Sequence, residues 1–176
     1  MKTGNDSVFG LIDWDKKNEH EDRIVVLAHN RRYAIENCLL DPLLVAALVI
    51  RECKNRELHI EIGLNESECY RDLDSMPSER YQIFVNKIQT KVLGLETESN
   101  LIKVEYKGGF SLHVAEQYLQ IQGHELEKRV KQIVYPCSKQ FNNTETLLSH
   151  IIETILRENP KFLPMELEEC LSKLLS

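Results

Sequence analysis

The sequence has no Cys-x-x-Cys pair, no His-x-x-x-His or His-Glu-x-x-His spacing, no Gly-Asp dipeptide and no long apolar run. Each absence removes a class of function. Its five cysteines, Cys38, Cys53, Cys69, Cys137 and Cys170, are odd in number and widely spaced, which argues against a disulfide framework and a zinc knuckle. Reduced thiols are expected. The histidines, His20, His29, His59, His113, His124 and His150, share no zinc-type spacing. The longest apolar stretch, Leu43 to Ile50, is eight residues long, against the ~20 that cross a bilayer. The polar start, Met-Lys-Thr-Gly-Asn-Asp, is unlike a signal peptide. A cytoplasmic chain without membrane partners is therefore expected. An excess of positive charge is missing too, with Lys+Arg 22 against Asp+Glu 28 and a net charge of -6. Any nucleic-acid contact must use a local basic face.

What is present suffices for a core: 176 residues, 42% of them apolar, fit one or two domains. Ser7 to Ile12 is a short apolar run ending in acids, and Arg23 to Ala28 is a second run rich in β-branched residues. Both read as strands buried on two faces of a mostly parallel sheet. Asp41-Pro42 supplies an N-cap and a first-turn proline for a helix over Leu43 to Cys53 that is apolar nearly all round. Ser78 to Leu95 has a helical stripe of Tyr81, Phe84, Val85, Ile88, Val92 and Leu95, with Gly94 near its end. Lys107-Gly108-Gly109 between Leu101–Tyr106 and Phe110–Val114 signals a hairpin. Glu125 to Tyr135, Thr144 to Glu158 and Met165 to Leu175 read as helices, with Thr144 the expected cap of the second.

The sharpest chemical pattern is Asp13-Trp14-Asp15. Side chains two apart on an extended segment share one side, so both carboxylates converge at a strand end, with Trp14 packing opposite. Such a pair suits Mg²⁺ or Mn²⁺ and phosphoryl or phosphodiester chemistry. The plainer alternative is that the acids end a strand and cap the following loop. Glu36 follows the second strand and either adds a third acidic metal ligand or rests beside a helix N-terminus.

Three enzyme classes place Asp-x-Asp after a strand. Haloacid-dehalogenase-like phosphatases expect a hydroxyl residue soon after the second Asp and a later Gly-Asp, where this chain has Lys16 and Lys17 and no Gly-Asp. Glycosyltransferases need an upstream nucleotide-binding segment, and only twelve residues precede Asp13. The third fits better. Val8-Phe-Gly-Leu-Ile-Asp-Trp-Asp15, the Ile24 to Ala28 strand and Arg32-Tyr-Ala-Ile-Glu-Asn-Cys-Leu-Leu-Asp-Pro42 resemble the second half of a TOPRIM domain. The kind resembled is attached to ABC-type ATPases in the OLD nuclease family and related phage-defence proteins. Gly123-His-Glu-Leu-Glu127 and Pro160-Lys-Phe-Leu-Pro164 look like that group's helical tail.

The resemblance implies an α/β fold, a partial TOPRIM-like parallel sheet over 1–60 followed by a mainly helical region over 61–176 with the hairpin near 101–114. Both parts could form one unit. It further implies a metal-dependent nuclease of DNA, with Asp13 and Asp15 on Mg²⁺ or Mn²⁺ and Glu36 as a further ligand. No ATP site is expected in this chain, and an ABC-type ATPase partner and a homo-oligomer are. The family's Glu-Gly strand has no counterpart in residues 1–12, which contain no Glu. The expectation is thus an incomplete nuclease that is inactive alone, or else a non-catalytic module docking to a partner ATPase. Arg31, Arg32, Lys128, Arg129 and Lys131 are the candidate nucleic-acid contacts, with weak ion pairing or a solvated face as the plainer role. A cap or core place is expected for His124.

Overall fold

A computed structural model describes residues 10–21, 24–94, 100–138, 141 and 143–175. The two apolar runs pair in parallel as β1 (Gly10–Ile12) and β2 (Ile24–Val26), Gly10 opposite Ile24 and Ile12 opposite Val26. The Leu27 N–H extends the ladder to the Ile12 carbonyl at 2.8 Å. The chain then makes α1 (Ile35–Leu39), α2 (Pro42–Glu52), α3 (Arg56–Glu61), a 3₁₀ turn (Tyr70–Ser75) and α4 (Ser78–Leu93). An antiparallel hairpin of β3 (Leu101–Glu105) and β4 (Ser111–Ala115) follows, in register Val104 to Leu112. It leads to α5 (Glu116–Leu119), α6 (Gly123–Val134), α7 (Thr144–His150) and α8 (Met165–Leu175). The protein is mixed α/β. Among the described residues, no helix is long and apolar enough to cross a membrane.

α2 is central because it is apolar on every side. Asp41 accepts the Leu43 N–H at 3.0 Å as its N-cap, Pro42 opens its first turn, and every residue from Pro42 to Ile50 is buried. α4 packs on α2 with Tyr81, Phe84, Val85, Ile88 and Val92, and ends at Gly94, whose φ of 73° is left-handed. Leu112 and Val114 of β4, Leu126, Val130 and Val134 of α6, and Leu147 of α7 complete this core. It runs across residue 60.

The helix expected over Thr144 to Glu158 forms, with a change of pitch inside it. Asn143, not Thr144, caps α7, accepting the Thr146 N–H at 3.4 Å. A π-helical stretch over Ile151–Leu156 follows. Leu147, Ile151 and Ile155 repeat every four residues, which overshoots an α-turn of ~3.6 residues. The wider turn keeps all three in one core.

β1 is not covered on both faces as the apolar run suggested, since Ile12 is 37% exposed. The cover comes from α8, which packs on β2. A second, small core of Leu27, Ala28, Cys38, Leu39, Leu167 and Cys170 joins them.

The two cores meet at a buried charge. Arg32 is 0% exposed, and its Nη2 donates to Asp41 Oδ2 at 2.8 Å, its Nε to Glu166 Oε2 at 2.9 Å and its Nη1 to the Asn37 carbonyl. Tyr106 Oη donates to the other Asp41 oxygen at 2.9 Å, and Tyr118 Oη to the Leu40 carbonyl at 2.7 Å. Burial pushes the Tyr106 hydroxyl well above its ordinary range, and the facing Asp41 adds to that. The second cation is Arg31, 3.5 Å from Glu166, so two guanidinium groups face two carboxylates. Removing one partner strands the others, which typically costs about 3–5 kcal/mol. Arg32→Met should lower the unfolding free energy by that amount in urea titrations. Arg32→Lys should recover little, because an ammonium cannot reproduce three fixed donor directions.

Candidate functional site

Open α/β sheets present functional groups at the carboxyl ends of parallel strands. Here those ends are the loops over 13–21 and 27–34. Trp14 accepts the N–H groups of Lys17 and Asn18 at 3.0 and 2.9 Å, closing a tight turn, and the Asp15 N–H reaches the Tyr33 carbonyl at 3.0 Å. Among the described residues, four other than glycine are left-handed, Asp15 (φ 49°), Lys16 (φ 58°), Ala28 (φ 43°) and Asn30 (φ 61°). All lie in these two loops. Each left-handed residue of this kind costs about 1 kcal/mol or more, and such strain collects at functional sites.

The three acids singled out in the sequence go to different places. Asp13 Oδ1 accepts the Ile35 N–H at 2.8 Å and so caps the first turn of α1, a helix 22 residues on rather than the loop that follows the acid. Its main-chain carbonyl accepts Asn18 Nδ2 at 2.7 Å. Asp15, half-buried, sits on the strained turn. Glu36 lies against the start of α6, where a Cβ on Gly123 would come within 2.8 Å of Glu36 Oε2. Asp13, Asp41 and Glu36 thus stand at the N-termini of α1, α2 and α6, where helix dipoles favour negative charge. Among the described residues no three His, Cys, Asp or Glu side chains converge as a metal-binding group. Asp13, Asp15 and Glu36 do not fit a common three-ligand centre.

The expected basic residues are likewise scattered. Arg32 belongs to the buried network, so its placement among nucleic-acid contacts is corrected: every nitrogen of its guanidinium is committed inward. Arg31 stays half-exposed beside Glu166. On α6, Arg129 Nε bonds Glu125 at 2.8 Å, Lys131 pairs with Glu127, and Lys128 is exposed. Most of that patch is neutralised locally. His124 is neither cap nor core, its side chain being 84% exposed.

Two features escaped the sequence. His20 and His29 pack with tilted rings, 5.1 Å between centres and 54° between planes, with Trp14 edge-on to His29 at 6.3 Å and Glu19 2.9 Å from His29 Nε2. His20 Nδ1 accepts the Val26 N–H at 3.1 Å, which fixes its proton on Nε2. Nine residues of separation gave no spacing signal. The second is a polar cleft of about 460 Å³, lined by Lys16, Asn100, Glu116, Gln117, Gln120, Ile121 and Arg129. It brings the Asp-x-Asp loop beside α6. Around the corner, an apolar groove of about 370 Å³ runs between α1, the π-helical stretch and α8.

No family model, curated protein or solved structure matches the chain.

If Asp13 is a cap, its loss must register without any ligand. Asp13→Ala should lower stability by about 1 kcal/mol. Lys16→Gly, relieving a left-handed backbone, should leave stability unchanged or raise it by up to ~1 kcal/mol. Parallel urea unfolding curves of the two variants check both signs.

Proposed function

We propose that this chain is a TOPRIM-like docking module that binds a partner carrying an ABC-type ATPase and does not cleave nucleic acid by itself. The observation that supports it best is the apolar groove. Ile35 and Leu39 of α1, Ile152 and Leu156 of the π-helical stretch, Leu163, and Leu167 and Leu171 of α8 line it. Ile35, Ile152 and Leu171 are 36%, 47% and 43% exposed. Contiguous apolar side chains of this kind mark interaction sites, and anchors on two helices flanking a trough suit an amphipathic helix of the partner. Lys107, which also lines the groove, is paired with Glu168 at 2.6 Å. Ile35 also carries the N–H that Asp13 binds, which makes the groove continuous with the strand-end loops.

A second reading, a nuclease using Mg²⁺ or Mn²⁺, is favoured by one observation: Asp13 and Asp15 follow the carboxyl end of β1, with Lys16 and Arg129 in the adjoining cleft. The carboxylates do not form a three-ligand set, and no hydrolytic step is assigned to them.

The test has two arms. Tagged full-length chain recovered from the cell that encodes it should retain an ABC-type ATPase, identified by mass spectrometry, and Ile152→Asp/Leu171→Asp should lose it at least tenfold with unfolding unchanged. A dimer by light scattering that the same double substitution dissolves would assign the groove to a second copy instead. Purified protein with supercoiled plasmid and Mn²⁺ should give no nicking. Robust nicking that Asp15→Ala abolishes would overturn the docking reading in favour of the nuclease.

A further inference from the structure

Away from this face, two elements distant in sequence end on sulfur. Cys53 is the C-cap of α2, its N–H on the Val49 carbonyl at 3.0 Å, and it is 5% exposed. Cys137 lies in the turn that follows α6, its N–H on the Val134 carbonyl at 2.9 Å. It is partly exposed and packs on the core that contains Cys53. α2 and α6 pack against each other and Cys137 packs on the core that holds Cys53, so the two thiols become neighbours across 84 residues of chain. Both are free. The docking face uses neither.

We propose that Cys53 and Cys137 form a reversible intramolecular disulfide, an oxidative modification site whose co-reactant is a peroxide. Cys137 is the sulfur that solvent reaches, so it reacts first. Its thiolate attacks one peroxide oxygen; an S–O bond forms, the O–O bond breaks, and with the thiol's proton the leaving oxygen departs as water. Cys53 then attacks the Cys137 sulfenic acid. The S–S bond forms, the S–O bond breaks, and a second water leaves with the Cys53 proton. Two thiols and one hydrogen peroxide give one disulfide and two waters, and the two electrons lost by sulfur reduce the peroxide.

The surroundings set the rate. Burial, then the bond to Cys53, pushes the Cys137 thiol well above its ordinary range, with Glu52 adding to the effect. Thiolate is scarce at neutral pH, so oxidation is slow there and speeds up roughly tenfold per pH unit while the thiol remains mostly protonated. The other cysteines are internal controls. Cys38 and Cys170 are buried together in the small core, burial holding Cys38 up at about 12, and Cys69 is exposed at the 3₁₀ turn.

The test treats the full chain with hydrogen peroxide at pH 7 and pH 9, blocks remaining thiols with iodoacetamide and digests with trypsin. Residues 52–54 should appear cross-linked to residues 132–139, faster at pH 9, and dithiothreitol should release them. Cys137→Ser should lose the cross-link while Cys38 and Cys170 stay unreacted until unfolding. Because the staple closes a long loop, the oxidised chain should melt about 5–10 °C higher than the reduced one. Cys137 carried to sulfinic acid with Cys53 still free, or disulfides only between chains through Cys69, would overturn the proposal.

Discussion

The rest of the structure depends on the guanidinium of Arg32, held out of water between two carboxylates. One planar group reaches the N-cap of α2, the first turn of α8 and the carbonyl of Asn37 on α1. These elements come from opposite ends of the chain. A fork of fixed donors accepts only one relative placement of its partners, a constraint that a greasy contact of the same size would not impose. Asp41 is the most heavily used acceptor, because the same carboxylate caps α2, receives Arg32 and takes the Tyr106 hydroxyl from the start of the hairpin turn. A change at Asp41 would therefore reach the helix, the hairpin and the loop beyond β2 together.

That arrangement explains where the strained loops come from. The chain must leave β2, turn Arg32 inward and still start α1 three residues later, and Ala28 and Asn30 take left-handed conformations on the way. Asp13 then crosses from the other strand to bond Ile35, closing the loops on each other. Strain here follows from delivering an arginine to the core. It also leaves the tip of the first loop, with Lys16, facing the polar cleft.

Elements whose stability is local were legible in the sequence. Asp41-Pro42 before an apolar run gives α2, the stripe from Tyr81 to Val92 gives α4, and Lys107-Gly-Gly gives the hairpin, because cap, periodicity and turn chemistry all lie within a few residues. α1, α3 and α5, at 5, 6 and 4 residues, are too short to carry a periodicity and exist because tertiary contacts hold them. The two apolar strands were legible as a parallel pair, but not the partial cover of β1, which depends on α8 more than a hundred residues on.

The site was legible as residue types and not as relations. Asp-x-Asp follows a strand, yet nothing in the spacing says that Ile35 would claim one oxygen of Asp13 or that Glu36 would settle against the start of α6. Arginines are ordinarily exposed, so a sequence reading puts Arg32 at a surface phosphate; its burial is decided by Glu166, 134 residues away. The same applies to Cys53 and Cys137, unremarkable by spacing and neighbours in space. Carboxylates are drawn to whichever cationic or N–H-rich end lies nearest once the chain is packed. In this fold the helix N-termini supply those ends, so Asp13 and Glu36, which a strand-end motif would gather around a metal, are drawn to α1 and α6, and an apolar groove opens beside Ile35.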